Sequence, residues 1–200
     1  MAGVGLGPGW QCAFANEIDD KKANSYRANH EGGGELAVKD VAEVITAEMP
    51  GQADLVWASF PCQDLSLAGK GAGLAGRRSG TFKAFWELML GLQGEGRAPK
   101  IIALENVYGT LTSNAGRDFA TICEAFAEMG YKFGAMVIDA VAFVPQSRPR
   151  FFMVGIRGDC KIPTRLQAAG PSLPWHPRTL VERHSLLSNY ARGHWIWWDL

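Results

Sequence analysis

Cys62 lies in the run Ser59-Phe60-Pro61-Cys62-Gln63, directly after the apolar stretch Asp54-Leu55-Val56-Trp57-Ala58 and directly before a glycine-rich one. The apolar stretch reads as a buried strand, and open α/β sheets bind their ligands outside the carboxyl ends of the strands. A thiol placed there faces a crevice and can act as a nucleophile. An isolated cysteine is more often a small buried hydrophobe, so the surrounding residues decide between the two readings. Glu105-Asn106-Val107 follows the apolar run Ile101-Ile102-Ala103-Leu104, and Gln146-Ser147-Arg148-Pro149-Arg150 precedes the apolar run Phe151 to Ile156. A carboxylic acid can give or share a proton. Two guanidinium groups offer fixed forks of donors to developing negative charge. Three polar clusters at strand ends can therefore bring a nucleophile, an acid and cations to one crevice.

Taken in this order, Pro-Cys-Gln, Glu-Asn-Val and Gln-x-Arg-x-Arg resemble the cytosine-C5 DNA methyltransferases, over about residues 10 to 157. The resemblance implies a Rossmann-like α/β sheet and methyl transfer from S-adenosylmethionine to C5 of a cytosine turned out of double-stranded DNA. Cys62 would add at C6, because C5 becomes nucleophilic only once the ring is enamine-like. Glu105 would serve N3 and N4 as the acid, with Arg150 near O2 and Arg148 as its partner. A nearby cation lowers a thiol's pKa from about 8.5. Gln63, Asn106 and Gln146 are the further substrate-binding candidates. Extruding the base costs a few kcal/mol. The stretch 64–79, with Gly69, Gly71, Gly73 and Gly76, reads as a loop that closes over it, bringing Lys70, Arg77 and Arg78 to phosphates.

The same resemblance supplies the cofactor residues. Gln11 to Asn16 reads as a strand ending in Glu17-Ile18-Asp19, and Glu17 would hold the ribose while Ile18 packs on adenine. Asp40, followed by Val41 after the strand-like Leu36-Ala37-Val38, matches the family's adenine-contacting acid, and Val41 and Pro61 complete the cofactor set. Either acid alone reads as a solvated turn residue. The chain departs from the family pattern at its start, where Met1-Ala2-Gly3-Val4-Gly5-Leu6-Gly7 stands in place of a strand and an aromatic-x-Gly-x-Gly turn. The expectation is a sheet lacking its first strand, with residues 1–160 a partial catalytic domain and 161–200 the beginning of an incomplete target-recognition region. A shortened chain would have impaired activity, and a complementing polypeptide is a candidate partner.

Composition fits one core, with 47% apolar and 20% charged residues. The formal net charge is zero, yet eight of the 20 Lys and Arg lie from Val144 onward against three of the 20 acids, a bias towards the arginine motif. The four cysteines, at 12, 62, 123 and 160, show no metal-ligand spacing; Cys12 and Cys123 read as core. With no secretory leader and no apolar run long enough to span a bilayer, the expectation is a cytoplasmic protein with no metal and no membrane partner.

Helices are expected over 20–30 with Asp19 as N-cap, over 81–92 and over 116–129, alternating with strands so as to imply parallel pairing. Residues 133–144 read as a late strand with a turn at Pro145. The tail from Pro163 carries four of the seven tryptophans, Trp175, Trp195, Trp197 and Trp198, and reads as irregular. Three other functions stay open: a non-catalytic remnant binding DNA or a partner through the surface from Arg148 to Arg165, a thiol redox enzyme, and an RNA rather than DNA substrate.

Overall fold

The computed structural model describes residues 2–30, 33–60 and 80–200. The chain divides into two compact units, Met1–Ala53 with Lys83–Ala98, and Asp54–Phe82 with Pro99–Leu200.

The first unit opens with the short helix α1 (Ala2–Leu6). Strand β1 (Ala15–Glu17) pairs in parallel with β2 (Leu36–Val38), and α2 (Asp20–Asn29) connects them. β1 is shorter than its apolar run suggests, and Cys12, which precedes it, is exposed rather than in the core. Its sulfur accepts from the Tyr26 hydroxyl at 3.5 Å. Asp19 caps α2 as expected, its carboxylate accepting from the Lys22 amide at 2.9 Å. Among the described residues between 2 and 53, only Ala23 and Val44 are buried hydrophobics. Polar contacts tie these segments together. Arg97 donates to the carbonyls of Gly51 at 2.8 Å, Thr46 at 3.3 Å and Met49, and pairs with Glu95. Helix α3 (Thr81–Gly94) contributes the apolar face Phe85, Trp86, Met89 and Leu92, all buried as its periodicity predicts.

The second unit is built on a four-stranded sheet. Strands β3 (Leu55–Ser59), β4 (Ile101–Val107), β5 (Tyr131–Asp139) and β6 (Pro149–Arg157) lie in the order β3-β4-β6-β5. β3 and β4 are parallel, but β6 runs antiparallel to both of its neighbours, so the sheet is mixed where alternation implied parallel strands throughout. The reason is the link. Residues 140–148 are too few for a crossover helix and close a hairpin instead. Helix α4 (Arg117–Glu128) lays Phe119, Ile122, Cys123 and Phe126 into the core. Burial pushes the Cys123 thiol well up from its ordinary value.

The tail is ordered. Its elements are β7 (Gln167–Ala168), α5 (Arg178–Ser185), α6 (Asn189–His194) and β8 (Trp197–Trp198), with β7 and β8 antiparallel. Its prolines mark boundaries rather than disorder, and Pro177 opens α5. Trp195 meets Phe119 and Phe133 edge to face, and Trp198 Nε1 donates to the Gly134 carbonyl at 3.1 Å. A Cβ at Gly134 would stand 1.9 Å from the Ile196 carbonyl oxygen, so the tail approaches β5 only because residue 134 has no side chain. Trp195 and Trp197 also enclose His184, and Trp197 covers His176. No helix among the described residues is long and apolar enough to cross a membrane.

Candidate active site

The sheet's parallel pair supplies the site's frame. Ser59 and Glu105 are direct partners at the carboxyl ends of β3 and β4. Because β6 runs backwards, its second residue, Arg150, stands opposite Val107 at the same edge. The outcome is a clamped carboxylate. Glu105 Oε1 lies 3.1 Å from Arg150 Nε, and Oε2 accepts from the Ser59 hydroxyl. The Arg150 and Glu105 side chains are 21% and 22% exposed, enough shielding for a charge-assisted contact to hold its geometry and enough opening to meet a ligand. Arg150 also donates through Nη1 to the Pro149 carbonyl at 2.9 Å. Asn106 is buried, its amide donating to the Phe60 carbonyl at 3.0 Å while its Oδ1 accepts from the Val107 amide at 2.8 Å. It thereby ties down the backbone that leads from β3 into Pro61-Cys62.

The hairpin link beside Arg150 is organised by one acid. Asp139 accepts from the amides of Arg148 at 2.6 Å and Val141 at 3.2 Å, and from the Ser147 hydroxyl at 2.8 Å. These donors, Arg148 foremost, hold its carboxyl below the usual carboxylate range. Arg148 and Gln146 are exposed on this link, and Arg148 lies outside the pair made by Arg150 and Glu105.

The candidate cofactor residues lie in the first unit, at the carboxyl ends of β1 and β2. Glu17 Oε1 accepts from the Ile18 and Asp19 amides, both at 3.0 Å, which fixes the carboxylate and leaves Oε2 without a partner among the described residues. Ile18 is 65% exposed beside it, an apolar surface suited to a flat ring. Asp40 caps the turn Val41–Glu43 by accepting from the Ala42 amide at 3.0 Å. Val41 lines a hollow with Val44, Thr46, Ala84 and Leu88. A fixed acid beside an exposed aliphatic residue fits a ribose and its base.

Pro61, Cys62, Gln63 and the stretch 64–79 lie outside the described residues. Among the candidates that are described, Glu105 and Arg150 meet, and Asn106 supports them. Ser59 and Asp139 were not among the sequence candidates. The pairing of Ser59 with Glu105 follows from the β3–β4 register, which no local pattern states. No group of acids, histidines or cysteines among the described residues could hold a metal ion.

The family model for the C-5 cytosine-specific DNA methylases matches residues 3–185. The chain is 30% identical over 155 residues to the orphan methyltransferase M.SPRI of Bacillus phage SPR, covering 77% of this chain and 34% of that protein. It is 34% identical over 146 residues to the type II methyltransferase M.NlaX of Neisseria lactamica, covering 72% and 44%. Among solved structures, the Dnmt2 methyltransferase of S. pombe superposes with a TM-score of 0.61 at 19% identity, over 76% of this chain and 45% of that one. A putative prophage-encoded DNA modification methyltransferase of E. coli gives 0.60 at 18%, over 81% and 45%. The chain thus spans less than half the length of these relatives, and the structures establish the Rossmann-like methyltransferase fold. With the family model covering most of its residues, the chain belongs to the C-5 cytosine-specific DNA methylase family.

Proposed function

We propose that this chain carries the methyl-transfer chemistry of a DNA cytosine-C5 methyltransferase. The observation that carries the reading is the Glu105 carboxylate, held by Arg150 and Ser59 at the strand end from which the chain enters Pro61-Cys62. The Cys62 thiolate adds to C6 of an extruded cytosine, and Glu105 shares a proton with N3 as negative charge spreads into the ring. Arg150 steadies the carboxylate and the base O2, with Arg148, Gln146 and Gln63 towards the surrounding DNA. Asn106 fixes the Phe60 carbonyl, two residues before Cys62 in the chain. Loss of the C5 proton then expels the thiolate. S-adenosylmethionine, when bound, supplies the methyl group. Glu17 Oε2 would take its ribose hydroxyls, Ile18 and Val41 its adenine face and Asp40 an adenine edge, with Pro61 alongside. Residues 1–160 do this work, and 161–200 lead into DNA recognition.

The test is incubation with unmethylated DNA and tritiated S-adenosylmethionine. Label should appear at C5 of cytosine, and Cys62→Ser should abolish it. Label-free DNA from a folded sample that binds the cofactor by calorimetry would remove the catalytic reading. One observation favours a second reading, binding of DNA or a partner without catalysis. Val141, Phe143 and Val144 are exposed beside Arg148 and Gln146, a mixed apolar and cationic surface. No heat with S-adenosylmethionine, together with retained DNA binding, would select it.

A further inference from the structure

We propose that Ser59 is a positioning residue that keeps the Glu105 carboxyl group in one orientation through both of its protonation states. The inference rests on the reading of Glu105 as the group that meets the base. Glu105 has two holders of different chemistry. Arg150 is a donor only, so it suits the ionised carboxylate and has nothing to offer an acid proton. A serine hydroxyl both donates and accepts. It gives its proton to Oε2 of the carboxylate, and by rotating it can accept the proton of a neutral acid at that oxygen. The proton that passes from Glu105 to ring nitrogen N3 returns when the ring regains its aromaticity, and no other atom passes between this carboxyl group and the ring. Across that cycle Ser59 is the holder that can reverse its role, donating to the carboxylate and accepting from the acid, while Arg150 donates to Oε1.

The sheet makes this contact dependable. Ser59 and Glu105 are opposite partners in a parallel ladder, so both Cβ atoms are set by strand register rather than by a loop. The Phe60 carbonyl, one residue on, is held by buried Asn106, which prevents the strand end from peeling away from β4. Alanine at 59 would remove the hydroxyl and leave the ladder, whereas threonine would retain it in a residue that strands favour.

The test uses binding, so it requires neither turnover nor knowledge of a recognition sequence. Short single strands of oligodeoxycytidine, oligodeoxyuridine and abasic sugar are titrated into the wild-type chain, Ser59→Ala, Ser59→Thr and Glu105→Gln. A carboxyl group aimed at N3 and N4 prefers cytosine over uracil, by about tenfold for one well-placed charge-assisted hydrogen bond. Ser59→Ala should reduce that preference at least threefold, with affinity for the abasic strand unchanged, and Ser59→Thr should restore it. If Glu105→Gln abolishes the preference while Ser59→Ala retains it in full, the role of Ser59 is overturned and the reading of Glu105 stands. If Glu105→Gln also leaves the preference intact, or if no strand binds, both are overturned.

Discussion

The two units hold their candidate residues by opposite means. In the second, Glu105 sits on β4, where Ile102, Ala103, Leu104 and Asn106 are all buried, and its position is dictated by a packed sheet. In the first, Glu17 ends the three-residue strand β1 and Asp40 caps the turn that follows β2, few of the described residues between 2 and 53 are buried, and both carboxylates are fixed by neighbouring amides. The difference teaches that a cofactor-type acid can be aimed by purely local hydrogen bonds, whereas a residue that must meet groups from two other strands needs a sheet. Local aiming also leaves a segment near the low end of local stability. Amide exchange should therefore be slow throughout β4, β5 and β6 and fast in β1 and β2. Equal protection in both units would break the comparison.

Substitutions sharpen it, and the largest effect belongs to the sheet. Gly134→Ala forces a methyl group into the Ile196 carbonyl and should cost about 3 kcal/mol or more, read as a lower denaturation midpoint. Arg97→Ala removes the donor to three carbonyls in the first unit and should cost about 2 kcal/mol, with faster exchange confined to that unit. A smaller, pH-linked effect belongs to the tail. Burial lowers the pKa of His176 and of His184, which the Arg192 charge lowers further, while Asp199 opposes the shift at His176. Both imidazoles are therefore favoured neutral in the fold, so their contribution is complete above the ordinary value of about 6.5 and is lost as pH falls below it. Tryptophan fluorescence should report loosening of Trp195 and Trp197 in that window, and His184→Phe should weaken the acid response. Asp19→Ala should cost about 1 kcal/mol by uncapping α2, measured by chemical denaturation. The smallest change is a gain. Ala115 has φ of 60°, and glycine there should add about 0.5 kcal/mol.

Much of this was legible in the chain. The apolar runs at 55–58, 101–104 and 151–156 are strands, the stripes in α3 and α4 face cores, and Asp19 caps α2. What the residues could not state was direction and register. An apolar run reads the same whether its strand points up or down, so the reversal of β6 was missed. The pairing of Ser59 with Glu105 depends on how two segments 46 residues apart align. The tail misled for another reason. Its prolines read as interruptions, while the start signal for α6 was present in Ser188, whose hydroxyl accepts from the Ala191 amide at 3.0 Å.

The alternation along β6 makes the arginine's address self-enforcing. Arg150 is partly open while Phe151, its immediate successor, is 1% exposed. A slip of the hairpin by a single residue would exchange them, driving a guanidinium into the hydrocarbon interior and a phenyl ring out to water. Such a molecule would be penalised twice for one mistake. Correct folding of this hairpin and correct wiring of its cation to the acid are thus a single event, and a population selected only for being folded arrives with that contact already made.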